Sequence, residues 1–189
     1  MRITSWSRMR ARPAMSTEAA VADTSSTLVV RRATEADAAR VAAMINTAFA
    51  EYHGKLAPPP SALAETAQSI APQLASPAGG AVAARLGAPA VIVGAVLFRP
   101  EDHDLYFGRL SVPLDQRRHG VAGALIRFVE DEARRRECAG IVLGVRLALP
   151  ENQRLFARHG FAEVSRHAHD GYAEPTWIKM RKHLHWQRP

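Results

Sequence analysis

The chain has 189 residues, a formal net charge of +7, 47% hydrophobic residues and one cysteine, Cys138. This length suits one domain with one hydrophobic core. A single cysteine excludes an internal disulfide and fits a reducing cytoplasm, and no apolar run approaches the roughly 18 residues of a membrane span. The first 27 residues carry four arginines but no continuous apolar stretch, which argues against a secretory signal.

The positive charge lies at the two ends of the chain. Residues 1–14 and 179–189 hold eight of the 25 basic residues and no acidic ones, which leaves 17 basic and 18 acidic residues between them. The excess is therefore not spread over a domain surface, as it is in nucleic-acid-binding folds. We expect one domain over 28–184. Residues 1–27 are expected to be a disordered tail, or to include a stretch ahead of a true start at Met15, and residues 185–189 a second tail.

The first part of the chain is predicted as a strand and two helices. Residues 28–32 are β-rich, and Thr34 followed by Asp37 resembles a capping box. The next helix has apolar residues at helical spacing, namely Ala38, Val41, Ala42, Ile45 and Phe49. Residues 51–61 form a loop. A second helix is predicted over 62–76, weakened or kinked by Pro72.

Three strands are predicted in the middle of the chain. The pair Gly79-Gly80 is predicted as a turn, residues 81–85 and 90–98 as strands, and Gly87-Ala88-Pro89 as the turn between them. After a polar connection at 101–104, residues 105–112 form a central strand. Simple alternation along it places four residues on one face, namely Tyr106, Gly108, Leu110 and Val112.

A glycine-containing turn, residues 117–123, follows the central strand and opens a segment, 121–136, with helical apolar spacing. A helix start exposes unpaired backbone N–H groups and the positive end of the helix dipole. The two glycines of the turn let an anion approach the backbone, and its two arginines add positive charge. The turn therefore predicts a phosphate or diphosphate site, with an ordinary capped helix as the alternative. Neither a Gly-x-Gly-x-x-Gly fingerprint nor a P-loop is present.

The last part of the chain is predicted as a strand, a helix and two further strands. Residues 141–147 are a nearly continuous apolar run, which suits a buried strand parallel to the central one and joined to it by the crossover helix. Pro150 fits the first turn of a helix that ends at Gly160. Residues 161–166 and 176–182 are the last two strands.

Two segments resemble the signatures of the GNAT superfamily of N-acetyltransferases. Arg117-x-x-Gly120-x-Ala122, which begins five residues after Val112, is similar to the family's acetyl-CoA signature. The second signature is matched by Asn152, Phe156 and Gly160-Phe161, although phenylalanine stands where the family has tyrosine and Asn152 lies closer to it than usual. The resemblance covers about 28–184. It implies an α/β (α+β) fold with a mixed central sheet of about six to seven strands, splayed at its central parallel pair and flanked by about four helices.

The resemblance also implies where acetyl-CoA binds. Its pantetheine arm would lie between the splayed strands and pair with the central strand as an added strand does. Its diphosphate would rest on the glycine turn, and its acetyl carbonyl would point at a backbone N–H near Val112. No metal is implied. The cofactor-binding residues predicted on this basis are Leu110, Ser111, Val112, Arg117, Arg118, His119, Gly120, Val121, Ala122, Gly123, Asn152 and Phe156.

The sequence offers several candidates for the catalytic and acceptor-binding groups. Several family members carry a glutamate base where this chain has Tyr106. A tyrosine is a poor base at neutral pH, so Tyr106 would either orient a water or simply be an aromatic residue at the edge of the core. The family's signature tyrosine often protonates the departing thiolate, but Phe156 has no hydroxyl, so the acid would be Tyr172 or solvent. Other candidates for the base are His53, Glu51 and His169. The predicted acceptor contacts, from the region that flanks the acceptor in the family, are Tyr52, His53, Lys55 and Glu65.

Three functions are compatible with these features. The first is transfer of an acetyl group from acetyl-CoA to a primary amine of a small molecule or peptide. Such an enzyme would be cytoplasmic and similar to a bacterial GNAT subgroup. It would be a possible homodimer, because GNAT domains often pair. The second, which Phe156 keeps open, is a non-catalytic acetyl-CoA sensor. The third is a nucleic-acid-binding protein, whose salt-dependent binding would have to survive deletion of residues 1–14.

Overall fold

The structure is a computed structural model that describes residues 27–86 and 90–184. The predicted turn at 87–89 and the predicted tails, apart from Thr27, lie outside these residues. The strands are β1 Leu28–Arg32, β2 Gly79–Arg85, β3 Val91–Glu101, β4 Asp104–Ser111, β5 Gly140–Arg146, β6 Ala162–His167 and β7 Trp177–His183. The α-helices are α1 Ala38–Phe49, α2 Ala67–Ala75, α3 Val121–Arg135 and α4 Pro150–Arg158.

The strands form a single seven-stranded sheet in the order β1-β2-β3-β4-β5-β7-β6. Strands β4 and β5 run parallel, and the other neighbouring pairs are antiparallel. A parallel pair needs a long crossover, and α3 supplies it between the end of β4 and the start of β5. The mixed sheet with its central parallel pair and four flanking helices confirms the predicted fold class.

Different helices cover the two faces of the sheet. Helices α1 and α2 pack on one face, against Val82, Ala95 and Leu97. Helix α3 and Phe156 of α4 pack on the other face, in a larger cluster that includes Leu105 and Ile141. In that cluster the rings of Phe107, Phe156 and Phe161 meet edge to face, with centroids 5.8 to 6.2 Å apart.

The predicted capping box at the start of α1 is present, although the first turn is a 3-10 helix, Glu35–Asp37. The Asp37 carboxylate accepts a hydrogen bond from the Thr34 backbone at 2.9 Å and two from the Arg31 guanidinium at 2.7 Å each. These bonds, those of Arg31 above all, lower the pKa of Asp37 to about 2. The corner between β1 and α1 is therefore held by a carboxylate that is ionised at neutral pH.

Two predicted elements between α1 and β3 are wrong in detail. Gly79 and Gly80 belong to β2 instead of a turn, and they pair with Phe98 and Leu97 of β3. A Cβ on Gly80 would lie 2.8 Å from the Val96 carbonyl oxygen, so this close approach of the strands requires glycine. The predicted helix 62–76 is two pieces, a 3-10 turn at Ser61–Ala64 and then α2. Thr66 separates them because its side chain and that of Ser69 cap the start of α2 reciprocally.

The predicted alternation along β4 is also wrong, because β4 contains a bulge. Ser111 pairs with Ala95 and Gly108 with Leu97, so two residues of β4, Arg109 and Leu110, lie opposite one residue of β3. Arg109 has the left-handed φ of 54°. An extra residue reverses the facing of those beyond it. Tyr106 and Gly108 therefore face the α2 side, where they line a small cavity, whereas Leu110 and Val112 pack on the α3 side.

Candidate active site

Strands β4 and β5 pair over only part of their length. Asp104, Leu105 and Tyr106 lie opposite Gly140, Ile141 and Val142. Both strands are described in full, and the pairing between them stops there, although β4 continues to Ser111 and β5 to Arg146. The two strands are therefore unpaired with each other beyond Tyr106 and Val142, and this gap extends to the end of β4.

A cavity of about 730 Å³ lies at the open end of this gap. Its walls come from the end of α1, the end of β4, the start of α3 and one side of α4. The lining residues are Ala48, Phe49, Tyr52, Leu110, Val112, Gln116, Arg117, Arg118, Gly120, Val121, Ala122, Gly123, Arg127, Glu151, Asn152, Leu155, Phe156, Arg158 and His159. Four arginines in this set give the cavity a positive character.

The start of α3 presents backbone to the cavity. Gly120 caps the helix with a left-handed φ of 79° and no side-chain cap. The first helical hydrogen bond runs from the Ala124 amide to the Gly120 carbonyl at 3.0 Å, and the amides ahead of it are those that a helix start leaves unpaired. A Cβ on Gly120 would meet no atom within 4 Å. The turn is therefore open in front, and it fits an anionic group such as a diphosphate.

A comparison with protein families gives a match over most of the chain. The model of the Acetyltransferase (GNAT) family matches residues 42–161, which run from α1 to just beyond the end of α4. The chain belongs to the GNAT acetyltransferase family. A comparison with curated protein sequences gives no match.

Solved GNAT structures share the fold. A ribosomal-protein-S18-alanine N-acetyltransferase from Escherichia coli has a TM-score of 0.65 and 15% identity, over 86% of this chain and 99% of its own. The PaiA N-acetyltransferase of Thermoplasma acidophilum, in complex with coenzyme A, has a TM-score of 0.65 and 12% identity, over 84% and 99%. An IAA acetyltransferase from Bacillus cereus has a TM-score of 0.60 and 13% identity, over 84% and 100%. At these identities the likeness concerns the fold.

The cavity brings together ten of the twelve cofactor-binding residues that the GNAT signatures imply. The other two are Ser111 and His119. The Ser111 side chain is fully buried, and its Oγ donates to the Arg109 carbonyl at 2.9 Å, which closes the bulge. His119 is exposed on the turn before α3. Both remain within the β4 end and the glycine turn, so their backbone groups still belong to the candidate site.

Arg117 lies at the cavity wall with two protein partners. Its guanidinium donates to the Val112 carbonyl at 3.0 Å and forms an ion pair with the Glu51 carboxylate. The hydrogen bonds to Glu51 are the main reason why the pKa of Arg117 is raised. Glu51 thus ties the end of α1 to the glycine turn, and Arg117 is anchored at the end of β4.

Tyr52 also belongs to this cavity, although the sequence predicts it as an acceptor contact. It lies in the 3-10 turn Ala50–Tyr52 that extends α1. Its hydroxyl interacts with the side chains of Asn152 and Glu51, and burial raises the pKa of Tyr52. His53, the next residue, is exposed and lines neither this cavity nor the smaller one on the opposite face.

A smaller cavity of about 230 Å³ lies on the opposite face of the sheet, beside α2. It holds two predicted residues, Tyr106 and Glu65. Glu65 accepts hydrogen bonds from Arg109 Nε at 2.8 Å and from Ser69 Oγ at 2.7 Å. The Arg99 guanidinium lies 3.8 Å from the centre of the Tyr106 ring, a cation–π contact. Because Tyr106 is the last β4 residue paired with β5, this cavity lies beside the closed end of the gap.

Tyr172, the predicted acid, lies apart from both cavities. It is 38% exposed, and its ring meets His169 edge to face at 6.5 Å. His169 in turn contacts Arg146 at the end of β5. Neither Tyr172 nor His169 is among the residues that line the two cavities.

The cavity wall near the start of α3 also holds residues that were not predicted from the sequence. A Cβ on Gly123 would lie 3.4 Å from both Arg127 and His159, which shows that these two side chains flank the start of α3. Arg127 is one helical turn after Gly123, and that spacing is a signal the sequence contains. His159 and Arg158 come from α4, and only the tertiary fold brings them there. Burial lowers the pKa of His159, so its ring is neutral at neutral pH.

The described residues show neither a membrane-spanning helix nor a candidate metal site. Their helices include none that is long and apolar enough to cross a membrane. Their His, Cys, Asp and Glu side chains form no group of three or more that could hold a metal ion.

Proposed function

We propose that the protein is an N-acetyltransferase that moves an acetyl group from acetyl-CoA directly to a primary amine of a small molecule or peptide. The observation that carries this proposal is the gap between β4 and β5, which opens into a cavity at the bare start of α3. A thioester in the gap has access to both faces of the sheet. The family membership of the chain supports the same chemistry.

The arrangement of charges supports a bound acetyl-CoA molecule. Its diphosphate fits the open amides of the glycine turn, where Arg118, Arg127 and Arg158 line the wall and supply positive charge. The pantetheine arm then extends toward Leu110 and Val112 and adds to the unpaired backbone edge of β4.

The acceptor amine is proposed to enter from the opposite face, beside Tyr106 and Glu65. A neutral amine attacks the thioester carbon, and the Val112 region donates a backbone N–H to the oxygen as negative charge develops on it. Tyr106 orients the water that removes the amine proton. The chemistry needs no metal ion.

Isothermal titration with acetyl-CoA, followed by thiol detection over a library of amines, tests the proposal. We expect measurable binding of acetyl-CoA, a KM for acetyl-CoA between about 1 μM and 1 mM, and thiol release with at least one class of amine. Absence of binding would overturn the proposal.

The alternative is a non-catalytic acetyl-CoA sensor. Phe156 favours it, because the ring at the usual acid position is only 8% exposed and packs against Phe107 and Phe161. Tight binding without thiol release from any amine would establish this alternative.

A further inference from the structure

At the position where the GNAT signature has a tyrosine, the candidate active site offers no hydroxyl. Phe156 carries no hydroxyl, and its ring is fixed between Phe107 and Phe161. When the thioester breaks, the sulfur leaves as a thiolate beside this apolar wall. A negative charge is costly there unless a donor lies opposite.

Tyr52 supplies a hydroxyl from the opposite wall of the same cavity. The 3-10 turn that extends α1 carries it past the end of the helix, and its half-buried ring rests edge to face on Phe49 at 5.9 Å. Tyr52, Phe156 and Val112 all line the cavity. Asn152, four residues before Phe156 on α4, interacts with the Tyr52 hydroxyl, so the hydroxyl points toward α4 across the cavity.

The other candidate donors are placed elsewhere. The chain has three tyrosines, of which Tyr106 lines the small cavity on the opposite face and Tyr172 lines neither cavity. His159 does line the large cavity, but it flanks Gly123 at the start of α3. That position is the phosphate end, away from the gap that would hold the thioester.

We infer that Tyr52 is the general acid of the transfer and replaces the hydroxyl that Phe156 lacks. The inference rests on the proposed function and names a catalytic residue for it. Tyr52 would be a catalytic residue in the strict sense, because its hydroxyl contacts the reacting sulfur.

The proton balance of this step is simple. The amine nitrogen forms a bond to the acetyl carbon, and the carbon–sulfur bond breaks with its electron pair going to sulfur. The Tyr52 hydroxyl gives its proton to that sulfur, and coenzyme A leaves as the thiol. The proton that the amine has released to water returns to Tyr52, so no other reactant is consumed.

The surroundings keep Tyr52 in the form that this step requires. Burial is the main reason why the pKa of Tyr52 is raised, and the Glu51 carboxylate adds to it, whereas Asn152 and Arg117 act in the opposite direction. The phenol therefore stays protonated at neutral pH. Glu51 and Asn152 also restrict where the hydroxyl points.

The test compares three variants in the thiol-release assay. Tyr52→Phe removes one oxygen atom and keeps the ring on Phe49, so it should fold. We expect its kcat to fall by about 100-fold, the low end for general acid catalysis, with the KM for acetyl-CoA changed by less than about threefold. Tyr172→Phe removes the hydroxyl of the other acid candidate and should lower kcat less than Tyr52→Phe does. A fall at Tyr172→Phe that equals or exceeds the fall at Tyr52→Phe would overturn the inference.

The third variant separates catalysis from structure. Tyr52→Phe combined with Phe156→Tyr restores a hydroxyl to the cavity from the α4 side. We expect it to recover at least about tenfold in kcat over Tyr52→Phe alone. A structural role of Tyr52 predicts no such recovery.

The outcomes distinguish this inference from the proposed function. If the wild type releases thiol and Tyr52→Phe has the same kcat, the inference is overturned, but the proposed acetyltransferase function stands. A wild-type protein that releases no thiol with any amine would overturn both. A fall in kcat that the double variant reverses would support both.

Discussion

The β4–β5 pair has a closed half, where the two strands are hydrogen-bonded, and an open half, where they are not. In the closed half, Leu105 and Ile141 are paired and fully buried under α3. In the open half the strands separate, and Leu110 and Val112 line a cavity. The closed half thus contributes apolar burial and strand pairing, whereas the open half leaves backbone groups free for a ligand. The pairing with β5 ends at Tyr106, and the bulge at Arg109-Leu110 lies in the open half.

The largest expected effect comes from removing a side chain of the closed half. Leu105→Ala deletes fully buried atoms and should lower the free energy of unfolding by about 2–5 kcal/mol. Leu110→Ala, in the half-buried open part, should cost less stability but weaken acetyl-CoA binding. Urea unfolding and isothermal titration measure the two effects. Equal losses of stability for the two variants would contradict the division into halves.

A substitution at the glycine turn should close the open half to its ligand. Gly120→Glu places bulk and negative charge where the diphosphate would rest, and it should weaken acetyl-CoA binding by at least about 100-fold. Gly171→Glu is the matched control, because Gly171 also has a positive φ, 82°, and an open surrounding, but lies outside the cavity. Both variants carry similar backbone strain, so thermal melting should respond similarly. Unchanged affinity in a folded Gly120→Glu protein would count against the placement of the site.

The third prediction concerns pH and the corner between β1 and α1, which lies away from both halves of the β4–β5 pair. The folded pKa of Asp37, about 2, lies below its unfolded value near 3.8, and its side chain is only 5% exposed. A lowered pKa stabilises the fold above the unfolded pKa, and this stability is lost as the pH falls from about 4 to about 2. We expect the difference in the free energy of unfolding between wild type and Asp37→Asn to be about 2 kcal/mol larger at pH 6 than at pH 2. Urea unfolding at the two pH values measures it. A difference that does not vary with pH would contradict this role of Asp37.

The fourth prediction is the smallest and concerns the mouth of the cavity. Glu51→Gln removes a negative charge beside the proposed diphosphate, while Arg117 keeps its bond to Val112. We expect acetyl-CoA to bind about threefold more tightly, because a partly exposed pair of charges contributes less than about 1 kcal/mol. Isothermal titration of the variant measures the change. Weaker binding would instead indicate that Glu51 holds Arg117 in its binding position.

Much of the fold could be predicted because local patterns agree with the tertiary structure. The Thr34–Asp37 cap, the apolar face of α1, Pro150 at the start of α4 and Gly160 after its end each fix an element from nearby residues. The prediction for Gly79 and Gly80 is wrong, because their small size serves close packing against β3. Periodicity could not reveal that contact.

The candidate site could be predicted less completely, and the β4 bulge is the reason. One extra residue moves Leu110 away from the face of Tyr106, and alternation in the sequence contains no sign of it. The glycine turn was predictable, since its residues are consecutive. The proximity of Tyr52 to Asn152 was not, because the end of α1 and the start of α4 meet only across the folded cavity.

A crystal structure with coenzyme A bound tests the central claim most directly. We predict the diphosphate on the backbone amides between Arg118 and Gly123, and the pantetheine arm in the gap between β4 and β5, with its sulfur between Tyr52 and Phe156. Coenzyme A bound elsewhere, or β4 and β5 paired along their whole length, would contradict the account.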